Sequence, residues 1–270
     1  HPFSGDPPPM APHPDACFGY RCDPRLSTAR ARAIEVPQGK VDLVDSDARI
    51  DLSGYAPAAR YQGSLGACTA HAGAAAVRAL MDMAAREGLF GGQPFDVSTL
   101  GVYQLTLDRT GHRGVDYGAS GTEMLRTLAR GFPREDAWPY SEVLSRDLPP
   151  LSAMTSRRVV GWRQVPHTVR AIRTCLALSC PVLIGIPVFD GGNGMASPRA
   201  FATGEVREPA SGDELSGWHM VTLWTHDPKT RSFTFQNWWR GFGDDRCLGT
   251  IPEDYVVGRS NEILSVESVR

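Results

Sequence analysis

The chain has 270 residues, enough for one large domain or two small lobes around a buried core. Hydrophobic residues make up 41% and charged residues 21%, and the net charge of −2 argues against a nucleic-acid partner or a strongly anionic substrate. No apolar run approaches the roughly 20 residues that a membrane-spanning helix needs. The six cysteines form no C-x-x-C pair, so we predict neither a metal site nor a cofactor.

Residues 1–45 differ in composition from the rest and are predicted to be an N-terminal proline-rich extension. The stretch from Pro2 to Pro14 contains six prolines and no hydrophobic period, which predicts an extended or disordered segment. A short helix is expected between Leu26 and Ile34. Cys17 and Cys22 could close a small disulfide loop in an oxidising compartment, or they could remain free thiols.

The pattern becomes strand-like at Val41, and the globular body is expected to begin near Ile50. Three helices are predicted next: an Ala-rich run that Gly88 ends, a run opened by Ser98, and one opened by the capping box that begins at Ser120. Their expected ranges are 68–87, 98–108 and 120–131. A last helix at 168–178 is followed by β-rich segments at 182–188, 220–226, 233–238 and 263–266. Helices followed by strands predict an α+β fold, with a helical lobe at about 55–150, a β lobe at about 151–270 and a cleft between them.

Cys68 is placed where a thiol can become a nucleophile. It opens the long helix directly after a glycine-containing turn, so the helix macrodipole and the unpaired N–H groups there favour the thiolate. Those N–H groups could also bind the oxyanion of a tetrahedral intermediate. Gln62, six residues upstream, could add a side-chain donor worth roughly 3–4 kcal/mol of transition-state stabilisation. The alternative is that Cys68 is a small buried residue, as free cysteines usually are.

A thiolate needs an imidazole beside it, and the imidazole needs a group that orients it. His219 and His226 lie at the two ends of one predicted strand, and His219 begins it. Asn237 ends the next strand after a turn at 227–229, so a hairpin would bring Asn237 beside His219. Any single histidine is more often structural than catalytic, and aromatic residues beside Asn237 are more often part of a barrel wall than a shield against water.

Taken together, three segments resemble papain-like cysteine peptidases of the bacterial type. The segment YQGSLGACTAHA resembles the family's nucleophile motif, GWHMVTLWTHD its histidine strand and FQNWWRGFGDD its asparagine segment. IDLSGYAPAARYQG and GFPREDAWPY also resemble bacterial members, so the resemblance covers about residues 50–257. It implies a two-lobed fold in which a helical lobe, with a central helix starting at the nucleophile, packs against an antiparallel, barrel-like β lobe. Residues 46–270 would then form the catalytic domain.

The resemblance also implies roles for individual residues. Cys68 would be the nucleophile, His219 the base, Asn237 its orienting partner and Gln62 the oxyanion-hole donor. Trp239 would cover the contact between the base and its partner. The residues expected to border the substrate cleft are Gly66, Trp218 and Trp239.

Four positions depart from the better-known members of the family. Thr69 follows the nucleophile where those members carry Trp, and Leu65 stands where they carry a disulfide-forming Cys. Trp218 replaces a small or polar residue before the base, which would narrow the entrance to the site. Trp238 replaces Ser after the asparagine. No chemical role is removed, but the substrate preference cannot be carried over.

The predicted function is hydrolysis of a protein or peptide substrate through a thioester. Two alternatives stay open: a thioester acyltransferase of transglutaminase or transpeptidase type, and a catalytically silent papain-like binding module. The extension takes the place of a prosegment but lacks the long helical pattern typical of one, so it is interpreted as an inhibitory arm lying in the cleft or as a linker. In the first case, deletion of residues 1–45 would raise activity. The sequence does not indicate an oligomeric state.

Overall fold

The computed structural model describes residues 16–270, so the interpretation of the stretch from Pro2 to Pro14 lies outside the described residues. The helices are α1 Val41–Asp45, α2 Cys68–Arg86, α3 Thr99–Arg109, α4 Gly121–Leu128, α5 Val169–Ala177, α6 Pro198–Thr203 and α7 Glu253–Arg259. The strands are β1 Ile50–Asp51, β2 Val159–Gln164, β3 Val182–Phe189, β4 Leu215–Asp227, β5 Ser232–Gln236, β6 Leu248–Pro252 and β7 Glu262–Val269.

Helix α2 is the centre of the helical lobe. Its small alanine side chains are buried on several faces, which lets α3, α4 and the sheet approach it closely. The hydroxyls of Ser98 and Ser120 accept from backbone N–H groups in the first turns of α3 and α4, as N-caps do. The Thr222 hydroxyl of β4 donates to the carbonyl of Ala72 at 3.2 Å and joins α2 to the β lobe.

The β lobe is one antiparallel sheet in the order β2-β7-β3-β4-β5-β6, with β1 paired to β4. Strand β3 is buried along nearly its whole length between β4 and β7, and its run of Val, Leu and Ile fits a central strand. Strands β4 and β5 form the expected hairpin. The predicted α+β fold, with a helical lobe beside an antiparallel β lobe, is confirmed.

The predicted helices and strands recur with shifted ends, while other elements were missed. Strands β2 and β6 and helices α6 and α7 were not predicted, because each is short. The two strands are also defined by pairing with β7 and β5, which no local pattern shows. Within the described residues, no helix is long and apolar enough to cross a membrane.

Predictions for the extension were partly wrong. The stretch from Val41 is the short helix α1, not a strand, and Val44 on it is buried. The predicted helix from Leu26 to Ile34 is absent: residues 24–26 form a single 3-10 turn, the Ala31 N–H donates to the Thr28 carbonyl at 2.9 Å in a second turn, and residues 31–37 form no regular element. The reason is tertiary: the Thr28 hydroxyl accepts from the backbone N–H of Ile263 at 2.8 Å. The division of the chain at residue 45 stays a prediction.

The disulfide alternative for Cys17 and Cys22 is not realised, since both are free thiols in this structure.

Helix α1 is held against α5 by Arg173, whose guanidinium donates to the carbonyls of Leu43, Val44 and Ser46. The final part of the extension is therefore packed on the β lobe.

Candidate active site

Cys68 begins α2 at the junction of the two lobes and is completely buried. The backbone N–H groups of Met220 on β4 and Gly19 of the extension lie near enough to its sulfur to oppose the rise in its pKa. The thiol therefore faces the strand that carries His219, as a nucleophile and its base must. A covering segment of the same chain contacts it from the other side.

His219 is paired with Asn237 across the β4–β5 hairpin. The imidazole Nε2 lies 2.8 Å from the amide Oδ1, which also accepts from the backbone N–H of Trp238. Because that oxygen can only accept, Nε2 carries the proton in the neutral ring and Nδ1 is left as the basic nitrogen. Nδ1 has no hydrogen-bond partner among residues 16–270.

Trp239 covers the imidazole, with a ring-centroid distance of 4.4 Å to His219. Its own far side stacks on Phe201 of α6 at 5.7 Å. Trp238 is part of the scaffold beneath the site, because its indole N–H donates to the carbonyl of Met220 at 2.9 Å. The two indoles exclude water from the bond between His219 and Asn237.

Gln62 is fully buried, and its side-chain nitrogen donates to the carbonyl of Leu65 at 2.8 Å. The thiol of Cys17 donates to the same carbonyl and to that of Ser64, both at 3.4 Å. Burial raises the pKa of that thiol, and the nearby Gln62 side chain opposes the rise. The side chain expected to bind an oxyanion therefore lies close to a thiol of the extension in this structure.

The opposite rim of the cleft is fixed by a carboxylate that the sequence did not single out. Asp116 accepts from the backbone N–H of Gly66 at 3.1 Å and from the hydroxyl of Tyr103. The same hydroxyl accepts from the N–H of Gly118 at 2.9 Å. Gly66, predicted to border the cleft, is thereby tied to the loop before α4.

Residues 16–22, termed the cleft segment below, lie in the cleft in hydrogen-bonded register. The carbonyl of Gly19 accepts from Ala119 N–H at 3.0 Å, and Arg21 N–H donates to the Ala119 carbonyl at 2.8 Å. On the β side, Tyr20 N–H donates to the carbonyl of Trp218 at 3.3 Å. The segment thus bridges both lobes directly over Cys68.

Side chains and close packing strengthen this cover. The Trp239 indole donates to the carbonyl of Cys17 at 2.9 Å, and Phe18 meets the same indole edge-on. A Cβ on Gly19 would lie only 2.0 Å from the carbonyl oxygen of Gly66, so the segment fits only because residue 19 lacks a side chain. Beyond Cys17, a cavity of about 450 Å³ between Tyr61 and Trp239 stays open.

Burial determines the protonation states of Cys68 and His219. Burial raises the pKa of Cys68 to about 12, against the opposing effect of backbone N–H donors. Burial lowers the pKa of His219 to about 3, although the bond to Asn237 acts the other way. Both groups are therefore neutral at pH 7 in the covered chain, as a thiol and an imidazole.

Two other buried histidines have structural surroundings. His71, one turn along α2, has Nδ1 3.0 Å from the carbonyl of Ala67, and burial lowers its pKa to about 4. His226, at the far end of β4, has Nε2 2.7 Å from Glu253 and Nδ1 2.6 Å from Arg173. Among residues 16–270, no group of three or more His, Cys, Asp or Glu side chains could hold a metal ion.

The structure pairs His219 with Asn237, places Trp239 over the imidazole, and sets Cys68 near Met220, the residue that follows His219. Gln62 is joined to the same region by its backbone N–H, which donates to the carbonyl of Trp238 at 3.0 Å. Sequence reasoning missed Asp116 on the rim and also Tyr20, Asn261 and Glu262, which meet beside the cleft. Tyr20 and Glu262 are 242 positions apart in the chain, and no local pattern indicates such a contact.

The overall architecture is that of the papain-like cysteine proteases. Among solved structures, the chain is similar to xylellain, a cysteine protease from Xylella fastidiosa, with a TM-score of 0.76 and 19% identity over 97% of this chain and 99% of that one. The sequence matches no family model and no curated protein.

Two eukaryotic structures share the fold at greater distance. The Carica candamarcensis cysteine protease CMS1MS2, in complex with E-64, has a TM-score of 0.57 and 18% identity over 80% of this chain and 96% of that one. The Amb a 11 cysteine protease of ragweed pollen, in its proform, has a TM-score of 0.61 and 16% identity over 89% of this chain and 70% of that one. Similarity at such low sequence identity shows the fold alone and does not show the activity.

Proposed function

We propose that the chain is a cysteine endopeptidase that hydrolyses peptide bonds through a thioester on Cys68, and that the extension holds it inactive. The observation that carries the proposal is the orientation of His219. Asn237 engages Nε2, which leaves Nδ1 as an unpartnered base, and the N–H of the next residue, Met220, lies near the sulfur. His71 Nε2 is unpartnered too, so the feature that distinguishes His219 is its bond to Asn237 on the strand that faces the thiol.

The covered state is chemically silent. Water and substrate are excluded from Cys68, and burial disfavours the ion pair that a nucleophilic thiolate would form with the imidazolium. Once the cleft segment leaves, water can enter and the N-terminus of α2 can stabilise a thiolate. His219 then accepts the thiol proton at Nδ1.

Catalysis follows from these positions. The Cys68 sulfur attacks the substrate carbonyl carbon, and the oxygen becomes an oxyanion that Gln62 and N–H groups at the start of α2 stabilise. The C–N bond breaks as His219 gives its proton to the leaving amine. Water then attacks the thioester and gives a proton to His219, and the acid product leaves with the thiol restored.

The cleft segment blocks each of these requirements. Gly19 lies near the sulfur, the Cys17 thiol lies near the Gln62 side chain, and Trp239 donates to the segment rather than to a substrate. Deletion of the whole extension would also remove core packing, because Tyr20 and Val44 are buried in the body of the protein. A single substitution that prevents the cleft segment from docking tests the proposal more specifically.

Gly19→Ala in the full chain provides that change, since its methyl group would overlap the backbone of Gly66. The matched control is Gly39→Ala, where a methyl group would meet nothing within 4 Å. We expect Gly19→Ala to raise the rate of cleavage of fluorogenic peptides by at least roughly tenfold, while Gly39→Ala stays at the wild-type rate.

Adding Cys68→Ala to Gly19→Ala should abolish the cleavage. Product analysis with a primary amine present separates hydrolysis from acyl transfer: a free carboxylic acid as the main product supports the peptidase, and an amide would favour the acyltransferase. No turnover by folded Gly19→Ala protein on a diverse peptide library would contradict the proposal and favour a silent binding module.

A further inference from the structure

Tyr20 of the cleft segment fills a pocket beside the reactive groups. Its backbone N–H donates to the carbonyl of Trp218, the residue before His219, and its neighbour Gly19 lies on Cys68. The side chain is only 4% exposed. Any residue held in this way next to the thiol sends its side chain into the same pocket.

The pocket walls fit an aromatic ring. A Cβ on Gly185 of β3 would lie 2.4 Å from the ring carbon that bears the hydroxyl of Tyr20, so a side chain at position 185 would fill the ring's place. The Trp218 ring lies 6.1 Å away at a tilt of 52°. A flat six-membered ring is accommodated between the backbone of β3 and this indole.

The floor of the pocket is built to bind a hydroxyl group. The Tyr20 hydroxyl donates to the Glu262 carboxylate at 2.9 Å and accepts from the side-chain nitrogen of Asn261 at 2.7 Å. The floor therefore presents one acceptor and one donor to a single ligand atom. A hydroxyl satisfies both, an ammonium or guanidinium group can only donate, and a phenyl ring deprives each polar group of one hydrogen bond.

Glu262 is held independently of the extension. Its carboxylate accepts from the backbone N–H groups of Gly121 and Thr122, at 2.9 and 3.0 Å, and from the Thr122 hydroxyl. These donors belong to the start of α4 and already counter the negative charge. The carboxylate thus needs one further hydrogen bond rather than a cationic partner.

We propose that this pocket, bounded by Gly185, Trp218, Asn261 and Glu262, is a substrate subsite selective for tyrosine, and that Tyr20 occupies it as a mimic of the substrate side chain. That the ligand of this pocket is a substrate rests on the proposed peptidase function. The selectivity of the pocket for a phenol rests only on the geometry of the pocket. Substrates are then peptides that carry tyrosine at the position lodged beside the bond that Cys68 attacks.

The first test measures binding without catalysis. The full chain carrying Gly19→Ala, Tyr20→Ala and Cys68→Ala has an undocked segment, an empty pocket and no nucleophile. Its probes are labelled peptides of residues 16–22, with serine in place of both cysteines and with Tyr, Phe, Leu or Lys at position 20. Fluorescence anisotropy should show the Tyr peptide binding roughly 10- to 100-fold more tightly than the Phe peptide, with Lys weaker still.

Substitutions in the pocket make the test specific. Gly185→Ala should abolish the preference for Tyr over Leu, because the added methyl group takes the space of the ring, whereas Gly192→Ala, whose methyl group would meet nothing within 4 Å, should not. Asn261→Ala should reduce the preference for Tyr over Phe severalfold. Since Asn261→Ala leaves the bonds between Glu262 and α4 in place, it tests the floor even if Glu262→Gln does not fold.

The second test measures cleavage by the chain with Gly19→Ala and Tyr20→Ala. Products from a peptide library should be enriched in tyrosine over phenylalanine at one position. Equal binding and equal cleavage of Tyr and Phe peptides, or a preference for Lys, would overturn the subsite proposal while leaving the peptidase intact. Selective binding of the Tyr peptide without any cleavage would uphold the pocket and overturn the peptidase.

Discussion

Two buried histidines at opposite ends of the same strand, β4, have opposite surroundings. His219 bonds through Nε2 to a neutral amide and leaves Nδ1 unpartnered, next to a thiol-bearing helix. His226 uses both nitrogens, between the carboxylate of Glu253 and the guanidinium of Arg173. Burial lowers the pKa of both, but only His226 lies against a carboxylate that opposes the shift.

The difference separates a histidine that can act from one that holds the fold together. An imidazole with both nitrogens engaged has no site for a substrate proton, and its loss leaves each of its two buried partners short of a hydrogen bond. An imidazole with one nitrogen unpartnered gives up part of its possible stabilisation and keeps a site for a proton. The predictions below compare the two residues on activity, on stability and on response to pH.

Activity should distinguish the two histidines most strongly. In the Gly19→Ala background, His219→Ala is expected to lower kcat/KM by at least about 10³-fold, since both proton transfers lose their carrier. His226→Gln should change kcat/KM less than about tenfold, because its ring lies far along β4 from Cys68. Steady-state kinetics on one fluorogenic peptide measures both. Comparable losses in folded protein would remove the distinction.

Loss of His226 should destabilise the fold more than loss of His219. His226→Ala leaves Glu253 and Arg173 without the ring between them and is expected to lower the free energy of unfolding by about 3 kcal/mol. His219→Gln retains a donor for Asn237 and should cost less. Urea unfolding in the Cys68→Ala background, where self-cleavage is absent, measures the difference. An equal loss from both substitutions would contradict the assignment of His226 as structural.

Acid should weaken the fold through His219. Its pKa of about 3 lies below the ordinary value of 6.5, so protons bind the unfolded chain first as the pH falls from 6.5 to 3, and stability is lost over that window. Between pH 6.5 and 4.5 this amounts to about 2–3 kcal/mol. His219→Gln should remove that part of the pH dependence in urea unfolding, and His226→Gln should remove less. An unchanged slope in His219→Gln would show that burial does not hold His219 neutral.

Asn237 should have the smallest effect, because it acts through His219. In the Gly19→Ala background, Asn237→Ala is expected to lower kcat/KM about tenfold by freeing the imidazole to rotate. Asn237→Asp keeps an acceptor oxygen and adds a negative charge, which should raise the pKa of the imidazolium and move the alkaline limb of the pH–rate profile upward. A purely structural role for Asn237 would leave that limb in place.

The residues proposed for the active site could be predicted from local signals, whereas the contacts of their cover could not. Cys68 at a helix start, Gln62 before a turn and the pairing of His219 with Asn237 each depend on short-range geometry: a helix N-terminus or one hairpin. The fold class followed from the order of helices and strands. Trp239 lies where the resemblance implied, although its aromatic character alone favoured a barrel wall.

An arm lying in the cleft was one of two interpretations of the extension, but the contacts by which it docks could not be predicted, because they are tertiary. Thr28 is not helical, and its hydroxyl accepts from the backbone N–H of Ile263 on β7. The fit of Gly19 against Gly66 and the pairing of Tyr20 with Glu262 join parts of the chain that no sequence period relates. Propensity is a weak guide wherever such contacts decide the backbone.

The central claim is that a competent pair of Cys68 and His219 lies beneath a removable cover. The most direct measurement is the rate at which a peptidyl epoxysuccinate labels Cys68, mapped by mass spectrometry in wild type, Gly19→Ala and Gly39→Ala. The account predicts labelling of Gly19→Ala at least about tenfold faster than of wild type, with Gly39→Ala like wild type, and a loss of that labelling when His219→Ala is added. Equal rates in all three chains, or fast labelling that does not need His219, would contradict it.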